Sequence, residues 1–557
     1  MPFATARCVA LDGARGHLID VQADVSPGQA NVVLVGRADT ALREGIDRVR
    51  MAITNSNLTW PATKRSTILL SPADLPKSGT QFDLAMALGV LAADGQVEHE
   101  ALRGTVFLGE LTLAGGLRPA IGVLPMTLAA AERGIRRVVV PEPQVAEAAM
   151  VPDVDVIGAR SLAQVVALLA GEPPPDAPPV AALSGAHLIG WRGDERLDEV
   201  DLADLRGMLD EKYAVEVAAA GGHAVLLTGP KGCGKTSLAE RIPTILPDLT
   251  AEESLELTAL HSLAGVLDPG QGMLVRPPFA APHHDASKAS IIGGGLGRVH
   301  PGALSRAHCG VLFLDEFPLF RSDVIEALRQ PLESGEITIA RRDESVTLPA
   351  AGLLVLASNP CPCGNWRPHA RSNRCACAER VRRAYQARTA GPIADRIDVL
   401  RQLQPASPAS HDPFRPPEPS AAVRARVTAA RDRQLARYDG HPWRLNSQVP
   451  SPRLKDPWPV SAPAQRLVDA EMYAGRLSAR GAVRVQRLAW TVADLLAVRA
   501  GVDVTPGRAE VEVALRLRFG LPLEMGTLRP EAREPELDLR PAEPGLVAVP
   551  SDVECVR

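Results

Sequence analysis

The sequence predicts a multidomain α/β protein in three parts: an α+β N-terminal domain, a phosphate-binding αβα core and a helical C-terminal domain. Three observations lead there. Gly229-Pro230-Lys231-Gly232-Cys233-Gly234-Lys235-Thr236 has the spacing G-x-x-x-x-G-K-[ST], with the apolar run Ala224-Val225-Leu226-Leu227 before it and the helix opening Ser237-Leu238-Ala239-Glu240-Arg241 after it. Strand, glycine-rich loop and helix in that order are the setting a phosphate loop requires. Downstream, Gly310-Val311-Leu312-Phe313-Leu314 and Leu353-Leu354-Val355-Leu356-Ala357 read as buried strands that end in Asp315-Glu316 and in Ser358-Asn359. Finally, proline-rich stretches at 172–179 and 405–419 interrupt the pattern and divide the chain, and 557 residues allow roughly three domains.

Composition narrows the classes. The hydrophobic fraction of 46% supplies several cores, and a net charge of −4 leaves any basic surface local. Aromatic residues make up only 3%, which argues against base-stacking platforms as the dominant binding device. No run of about eighteen apolar residues exists, so no membrane span and no membrane partner are expected. The opening Met1-Pro2-Phe3-Ala4-Thr5-Ala6-Arg7 lacks a long apolar signal region, and a cytoplasmic location is the expectation. Eight cysteines in so long a chain are not a disulfide framework.

Residues 1–170 read as an α/β unit. Ile19-Asp20-Val21-Gln22-Ala23-Asp24-Val25 and Ala30-Asn31-Val32-Val33-Leu34-Val35-Gly36 look like strands, and 41–53 has helical spacing. Residues 82–91 form a second, mostly buried helix; 107–113 with Gly115-Gly116 reads as strand and tight turn; Val138-Val139-Val140 is another strand. Residues 171–197, with Pro173-Pro174-Pro175 and Pro178-Pro179, are expected to be an extended linker.

The core spans 198–404. Its glycines let backbone N–H groups wrap anionic phosphates, and the following helix N-terminus adds free amides. ATP is therefore the expected ligand of Gly229, Pro230, Lys231, Gly232, Cys233, Gly234, Lys235 and Thr236. Lys235 reaches the β- and γ-phosphates, Thr236 and Asp315 hold Mg²⁺, and Glu316 polarises the attacking water. Asn359, at the end of the next strand, fits the role of reading the γ-phosphate through that water. Cys233 leaves a thiol beside the phosphates, a point of oxidative inactivation.

Cys361-Pro362-Cys363 and Cys375-Ala376-Cys377 are two pairs of thiols, with Arg367, His369, Arg371 and Arg374 between them. Four gathered cysteines point to a structural Zn²⁺ site, and the basic residues to a nucleic-acid contact. His283-His284-Asp285 looks metal-like, but adjacent histidines in a strand point to opposite faces, so a structural or loop role is expected. Glu336-Ile337-Thr338-Ile339-Ala340-Arg341-Arg342-Asp343-Glu344-Ser345-Val346-Thr347-Leu348 reads as a hairpin with a charged tip; Arg341 and Arg342 could contact phosphates. Residues 405–520 read as a helical lid, with helices at 421–437, 477–495 and 508–518, and 521–557 as a flexible tail.

Several stretches carry a close resemblance. They include Leu75-Pro76-Lys77-Ser78-Gly79, Phe82-Asp83-Leu84-Ala85-Met86-Ala87-Leu88-Gly89, Arg276-Pro277-Pro278-Phe279-Ala280-Ala281-Pro282-His283-His284, Ile292-Gly293-Gly294-Gly295, Leu328-Arg329-Gln330-Pro331-Leu332-Glu333-Ser334-Gly335-Glu336 and Asn359-Pro360-Cys361-Pro362-Cys363-Gly364. From about residue 5 to 520 the chain resembles the ComM/YifB family of magnesium-chelatase-like AAA+ ATPases. The resemblance implies an N-terminal domain similar in fold to ribosomal protein S5 domain 2 and the Lon-protease catalytic domain. Lon-like enzymes use a Ser–Lys dyad, but the matching positions here hold Gln81 and Pro125, which can serve neither as nucleophile nor as base.

The resemblance further implies a homohexameric ring. Arg396, in Gly391-Pro392-Ile393-Ala394-Asp395-Arg396, would be an arginine finger reaching the neighbouring subunit's nucleotide, unless it is paired with Asp395 or Asp398. Arg480, or failing that Arg484, would contact the nucleotide in cis as second sensor. The glycine loop at 293–295, with Lys288 and Arg298, lies where the family carries its pore-facing insert. Relatives commonly carry Pro at the position of Lys231 and a small or hydroxyl residue at that of Cys233. The activity implied is ATP-driven branch migration of DNA, branched or single-stranded, as a ComM-like helicase. A magnesium-chelatase-type motor subunit and a non-proteolytic protein-remodelling ATPase are the alternatives.

Overall fold

A computed structural model describes residues 3–181, 199–268, 270, 272–295, 299–340, 345–366, 374–390, 393–404, 417–501 and 504–523. Arg298, Arg341, Arg342, Arg367, His369 and Arg371 lie outside the described residues, as does most of the expected tail.

The N-terminal unit is a seven-stranded mixed sheet in the order Asn31–Val35, Arg65–Ser71, Arg15–Ser26, Phe3–Asp12, Thr105–Phe107, Arg137–Pro141 and Asp155–Ala159. Along Arg15–Ser26 the residues Ile19, Val21, Ala23 and Val25 are buried, the period of two that puts one face of a strand on a core. The strand Phe3–Asp12 pairs with it antiparallel, from Phe3 opposite Asp24 to Asp12 opposite Arg15. Its inward residues are Ala4, Ala6 and Cys8, too small to give a strong hydrophobic pattern in the sequence. The helix Asp83–Ala93 is buried on every side. Asp83 is the exception in that apolar run. Arg48 donates to it through two nitrogens at 2.8 and 3.2 Å, yet burial still pushes its carboxyl up to about 6.

The positions matching a Ser–Lys dyad are structural here. Gln81 Nε2 donates to the Ser78 carbonyl at 3.0 Å, Pro125 sits in the first turn of the helix Val123–Glu132, and buried Lys77 donates to the Pro72 carbonyl. The described part of the linker, 171–181, does not stand off as a free spacer: Gln164 Nε2 donates to the Pro175 carbonyl at 2.8 Å and Arg160 Nη1 to the Ala177 carbonyl at 3.3 Å.

The core is a five-stranded, all-parallel sheet in the order Phe279–Ala280, Val311–Leu314, Leu353–Ser358, Val225–Thr228, Val399–Gln402. Parallel strands with helical crossovers bury both faces, so these segments read as continuous apolar runs. One face packs Leu226, Leu312, Leu314, Leu354 and Leu356. The other packs Val225, Leu227, Phe313, Val355 and Ala357, and this second cluster continues into Val423, Val427, Val485, Leu488, Val492 and Val511. The C-terminal helices Ser420–Arg437, Ala479–Ala500 and Arg508–Phe519 therefore share one apolar core with the sheet.

A buried polar chain crosses the same boundary. Arg484 Nη1 donates to Asp398 Oδ1 at 2.5 Å, and the Ala224 N–H donates to Asp398 Oδ2 at 3.1 Å. His223 lies 3.6 Å from Asp398 through Nδ1 and 2.8 Å from Thr491 Oγ1 through Nε2. Asn446 Nδ2 donates to Thr491 and to Asp494 at 2.9 and 3.0 Å, and Arg437 is paired with Asp494. Burial opposes ionisation of Asp398, but the His223 and Arg484 contacts outweigh it and hold the carboxyl below the usual carboxylate range.

Among the described residues, the N-terminal unit meets the core at two places. Leu124 and Val151 pack on Ala259 of the helix Ala251–Ala264, and buried Glu147 accepts from Ser262 Oγ at 2.6 Å and from the Leu124 N–H at 3.1 Å. The turn joining the first two strands inserts Leu11 and Ala14 into the cluster that holds Val346 and Leu348 of the hairpin Glu336–Ala340 with Ser345–Pro349. Gly13, at φ +60°, sits at the tip, and a Cβ there would lie 2.6 Å from Val346 Cγ1.

Two expectations follow. Gly13→Val should cost about 2 kcal/mol in urea unfolding, because a β-branched residue is strained at positive φ and meets Val346. Asp398→Asn should destabilise by about 3 kcal/mol at neutral pH, since it leaves Arg484 and His223 without their buried anion. A depressed carboxyl stabilises fully above its unfolded pKa and loses that contribution progressively as the pH falls from there through its folded value, so the gap from wild type should begin to narrow below about pH 4. Urea titrations of both proteins at pH 7 and pH 3.5 measure this.

Candidate nucleotide site and cysteine knuckle

The strand Val225–Thr228 lies between Leu353–Ser358 and Val399–Gln402, so residues just past the C-terminal ends of three strands converge. The Gly229 N–H donates to the Ser358 carbonyl at 3.2 Å. A Cβ on Gly229 would lie 2.7 Å from the Leu403 carbonyl and 2.8 Å from Cys233 Sγ, so this glycine is required by packing before any phosphate is considered. Lys235, only 7% exposed, donates from Nζ to the Gly229 carbonyl at 2.7 Å, the Pro230 carbonyl at 3.0 Å and Asn359 Oδ1 at 3.1 Å. Three oxygens around one buried ammonium satisfy a charge that would otherwise be prohibitive to bury.

Thr236 Oγ1 donates to Asp315 Oδ2 at 3.0 Å, which places two oxygen ligands together at the start of the helix Lys235–Ala239. Oxygen donors at a phosphate loop are the set a Mg²⁺ ion uses. Glu316 follows at φ +50°, left-handed backbone that is unusual for a glutamate. Its side chain accepts from Asn359 Nδ2 at 3.5 Å and has His284 Nδ1 at 3.9 Å. The geometry thus brings Lys235, Thr236, Asp315, Glu316 and Asn359 into one site. Cys233 is buried, and burial pushes its thiol up rather than toward the reactive thiolate.

His283 and His284 are not in a strand. Phe279–Ala280 ends before them, and in the turn their rings lie together, centroids 4.2 Å apart. The strand-alternation argument therefore does not apply. His283 bonds Asp285 at 2.6 Å, and His284 faces Glu316, a neighbour that sequence spacing does not reveal. Tyr385 is another such residue: it is buried beside Ser358 and Asn359, and burial raises its phenol.

The arginines separate. Arg396 donates to Glu333 Oε1 from Nε at 2.9 Å and from Nη2 at 2.8 Å, rather than to Asp395 or Asp398. Sixty-three residues separate that pair in the chain. Arg484 is committed to Asp398 and to the Asp395 carbonyl, whereas Arg480 is exposed in the first turn of the helix Ala479–Ala500. Lys288 is exposed at the start of the helix Lys288–Ile292. Just after it, Gly293–Gly294 pairs with His300–Pro301, and a Cβ on Gly293 would lie 2.8 Å from Ile339 Cδ1, so the glycine loop lies on the hairpin Glu336–Ala340 with Ser345–Pro349.

The sulfurs of Cys361, Cys363, Cys375 and Cys377 lie within 4.8 Å of one another, the one such ligand cluster among the described residues. Three Sγ–Sγ separations are 3.3, 3.6 and 3.6 Å. A tetrahedron with metal–sulfur bonds of about 2.3 Å has edges of about 3.8 Å, so this donor set fits a four-thiolate metal site. The backbone N–H of Asn365 faces the Cys361 and Cys363 sulfurs and, for Cys363, draws the thiol down to about 6.

Family comparisons agree along the chain. Residues 21–144 match the model described as subunit ChlI of Mg-chelatase, 201–411 that of magnesium chelatase subunit ChlI, and 417–518 that of the ChlI C-terminal region. An uncharacterized protein of Mycobacterium tuberculosis is 43% identical over 521 residues, covering 93% of this chain and 99% of the relative. YifB of Escherichia coli is 36% identical over 485 residues, covering 87% and 91%. Competence protein ComM of Haemophilus influenzae is 36% identical over 491 residues, covering 87% and 92%. With these matches spread over the N-terminal sheet, the phosphate-loop core and the C-terminal helices, the chain belongs to the ComM/YifB family of magnesium-chelatase-like AAA+ proteins.

Proposed function

We propose that the protein is a ring-forming ATPase that couples ATP hydrolysis to movement along DNA, with branch migration as the activity. The observation that carries the ATPase reading is the convergence of Lys235, Thr236, Asp315, Glu316 and Asn359 at the ends of adjacent parallel strands. The loop amides and Lys235 would bind the β- and γ-phosphates, with phosphate oxygens taking over from the Gly229 and Pro230 carbonyls. Mg²⁺, held by Thr236 and Asp315, would neutralise charge on the phosphates. Glu316 would orient the water, and Asn359, which touches both Lys235 and Glu316, would report the γ-phosphate to both.

Arg396 would act across a subunit boundary, exchanging Glu333 for the neighbour's γ-phosphate; a permanently charged planar group suits that exchange. Arg480 is the better second sensor, because Arg484 already has a buried anion. A closed ring follows from the same logic, each site being completed by the next chain, and the family resemblance makes that ring a homohexamer. The four cysteines would hold one structural Zn²⁺.

DNA as the polymer rests on similarity to competence protein ComM and on the charged residues Lys288, Arg298, Arg341 and Arg342. A chelatase motor is the second reading. The N-terminal unit does not separate the two by itself, since 21–144 also match a model with a chelatase description. DNA does. Forked or Holliday-junction DNA should raise the ATPase rate at low salt, less so at moderate salt; a protein that neither binds nor responds to such DNA overturns the helicase reading.

Glu316→Gln should retain nucleotide binding and lose about 100-fold or more in turnover, accumulating ATP-bound rings visible by light scattering. Normal turnover would remove Glu316 from its role. Arg396→Ala should likewise lower kcat by about 100-fold or more with ATP affinity nearly unchanged. Loss of binding instead would place Arg396 in its own subunit's structure.

A further inference from the structure

The cysteine knuckle does not stand apart from the nucleotide site. Cys361 is fully buried and comes two residues after Asn359. Between the cysteine pairs, the chain turns back at Gly364, with φ +75°, and its carbonyl accepts the backbone N–H of Lys231, inside the phosphate loop, at 3.3 Å. The stem of Lys231 lies over the same glycine: a Cβ on Gly364 would be 2.5 Å from Lys231 Cγ and 3.0 Å from Cδ. From the other side, the helix Glu379–Ala390 holds the segment, with Gln386 Nε2 donating to the Pro360 carbonyl at 3.0 Å and Arg382 stacked 3.7 Å over Trp366.

We infer that the knuckle is a brace for the phosphate loop, and that a thiophilic divalent metal on Cys361, Cys363, Cys375 and Cys377, with Zn²⁺ the best match, sets nucleotide affinity by fixing Gly364 against Lys231. The inference rests on the nucleotide-binding reading of the loop. Its chemistry is short. Without a metal the gathered sulfurs share only weak S–H contacts; a dication binds them as thiolates, releasing their protons to solvent, and four strong bonds to one ion lock the turn. The locked turn presents one carbonyl to one loop amide, so the loop loses less freedom when phosphate arrives. Without the metal only those weak contacts restrain the turn, Gly364 is held less firmly, and the loop must be ordered largely by the nucleotide.

The residue at 231 makes the coupling specific to this arrangement. A proline at this position would have no N–H to give. The phosphate loop works with or without this bond; what the bond adds is dependence on the knuckle.

The test uses the full-length protein, reduced, at constant Mg²⁺, with ADP as the probe. Zinc is measured by elemental analysis, then removed with a zinc-selective chelator and restored. The expected result is one zinc per chain, an ADP affinity about five- to tenfold weaker without it, as loss of one backbone hydrogen bond and its ordering implies, and recovery on restoration. Lys231→Pro should bind ADP equally with and without zinc, while Lys231→Ala, which keeps the N–H, should retain the zinc dependence. Cys375→Ser with Cys377→Ser should match zinc-free wild type, with thermal melting to check that it is folded. A chain that takes up no zinc overturns the metal site. Zinc uptake with unchanged ADP affinity on its removal overturns the brace and leaves the ATPase reading intact. Full zinc dependence in Lys231→Pro also overturns it. If the zinc-loaded wild type fails to bind ADP, the nucleotide reading falls first, and the separate zinc measurement shows which of the two has failed.

Discussion

Lys235 is a buried cation, and much of the structure around it exists to make that burial possible. Its ammonium takes the carbonyls of Gly229 and Pro230 and the amide oxygen of Asn359. Asn359 lies 124 residues beyond Lys235 in the chain and reaches it because Val225–Thr228 and Leu353–Ser358 pair in register. An unpaired ammonium at this depth would cost several kcal/mol. The parallel sheet, its order and the turn after each strand are therefore fixed by the same arrangement that poises a cation for phosphate. Asn359 then ties that cation to Glu316, so nothing can move Lys235 without being felt by the carboxylate that would act on water.

The rest of the molecule is built outward from this sheet in a way that resists division into independent parts. The C-terminal helices share its apolar cluster and are pinned to it by the Arg484–Asp398–His223 chain, whose members sit next to the start of the phosphate-loop strand. The N-terminal sheet touches the other side through Glu147 and through the Gly13 turn on the hairpin at 336–349. That hairpin in turn carries the glycine loop on Ile339. A displacement at the proposed polymer-contacting loop is thus mechanically connected to the N-terminal unit by packed side chains.

The legible parts of this site were those in which chemistry demands a fixed local spacing. The phosphate loop, Asp315-Glu316 and Asn359 could be read because strand, turn and functional group are consecutive in the chain. The paired cysteines could be read for the same reason, and the structure gathers their sulfurs. What could not be read was who meets whom over distance. Arg396 has Asp395 and Asp398 as sequence neighbours but pairs with Glu333. Phe3–Asp12 is central to the N-terminal sheet yet buries Ala4, Ala6 and Cys8, whose pattern is too weak to announce a strand. The histidine pair does take the loop role expected of it, but not for the reason of strand alternation: with Ala280 as the last strand residue, His283 and His284 belong to a turn and their rings lie together.

Lys231 shows how one residue acquires meaning only in three dimensions. In the sequence it is one unusual letter in a glycine-rich loop, compatible with phosphate binding and otherwise mute. In the fold, its backbone N–H is the single hydrogen bond by which the loop addresses Gly364, and its stem covers the glycine that makes the turn between two cysteine pairs. Proline would sever that bond while leaving the glycines, Lys235 and Thr236 in place. The loop's capacity to hold phosphate and its dependence on the knuckle therefore reside in different atoms of adjacent residues, so one can change while the other persists.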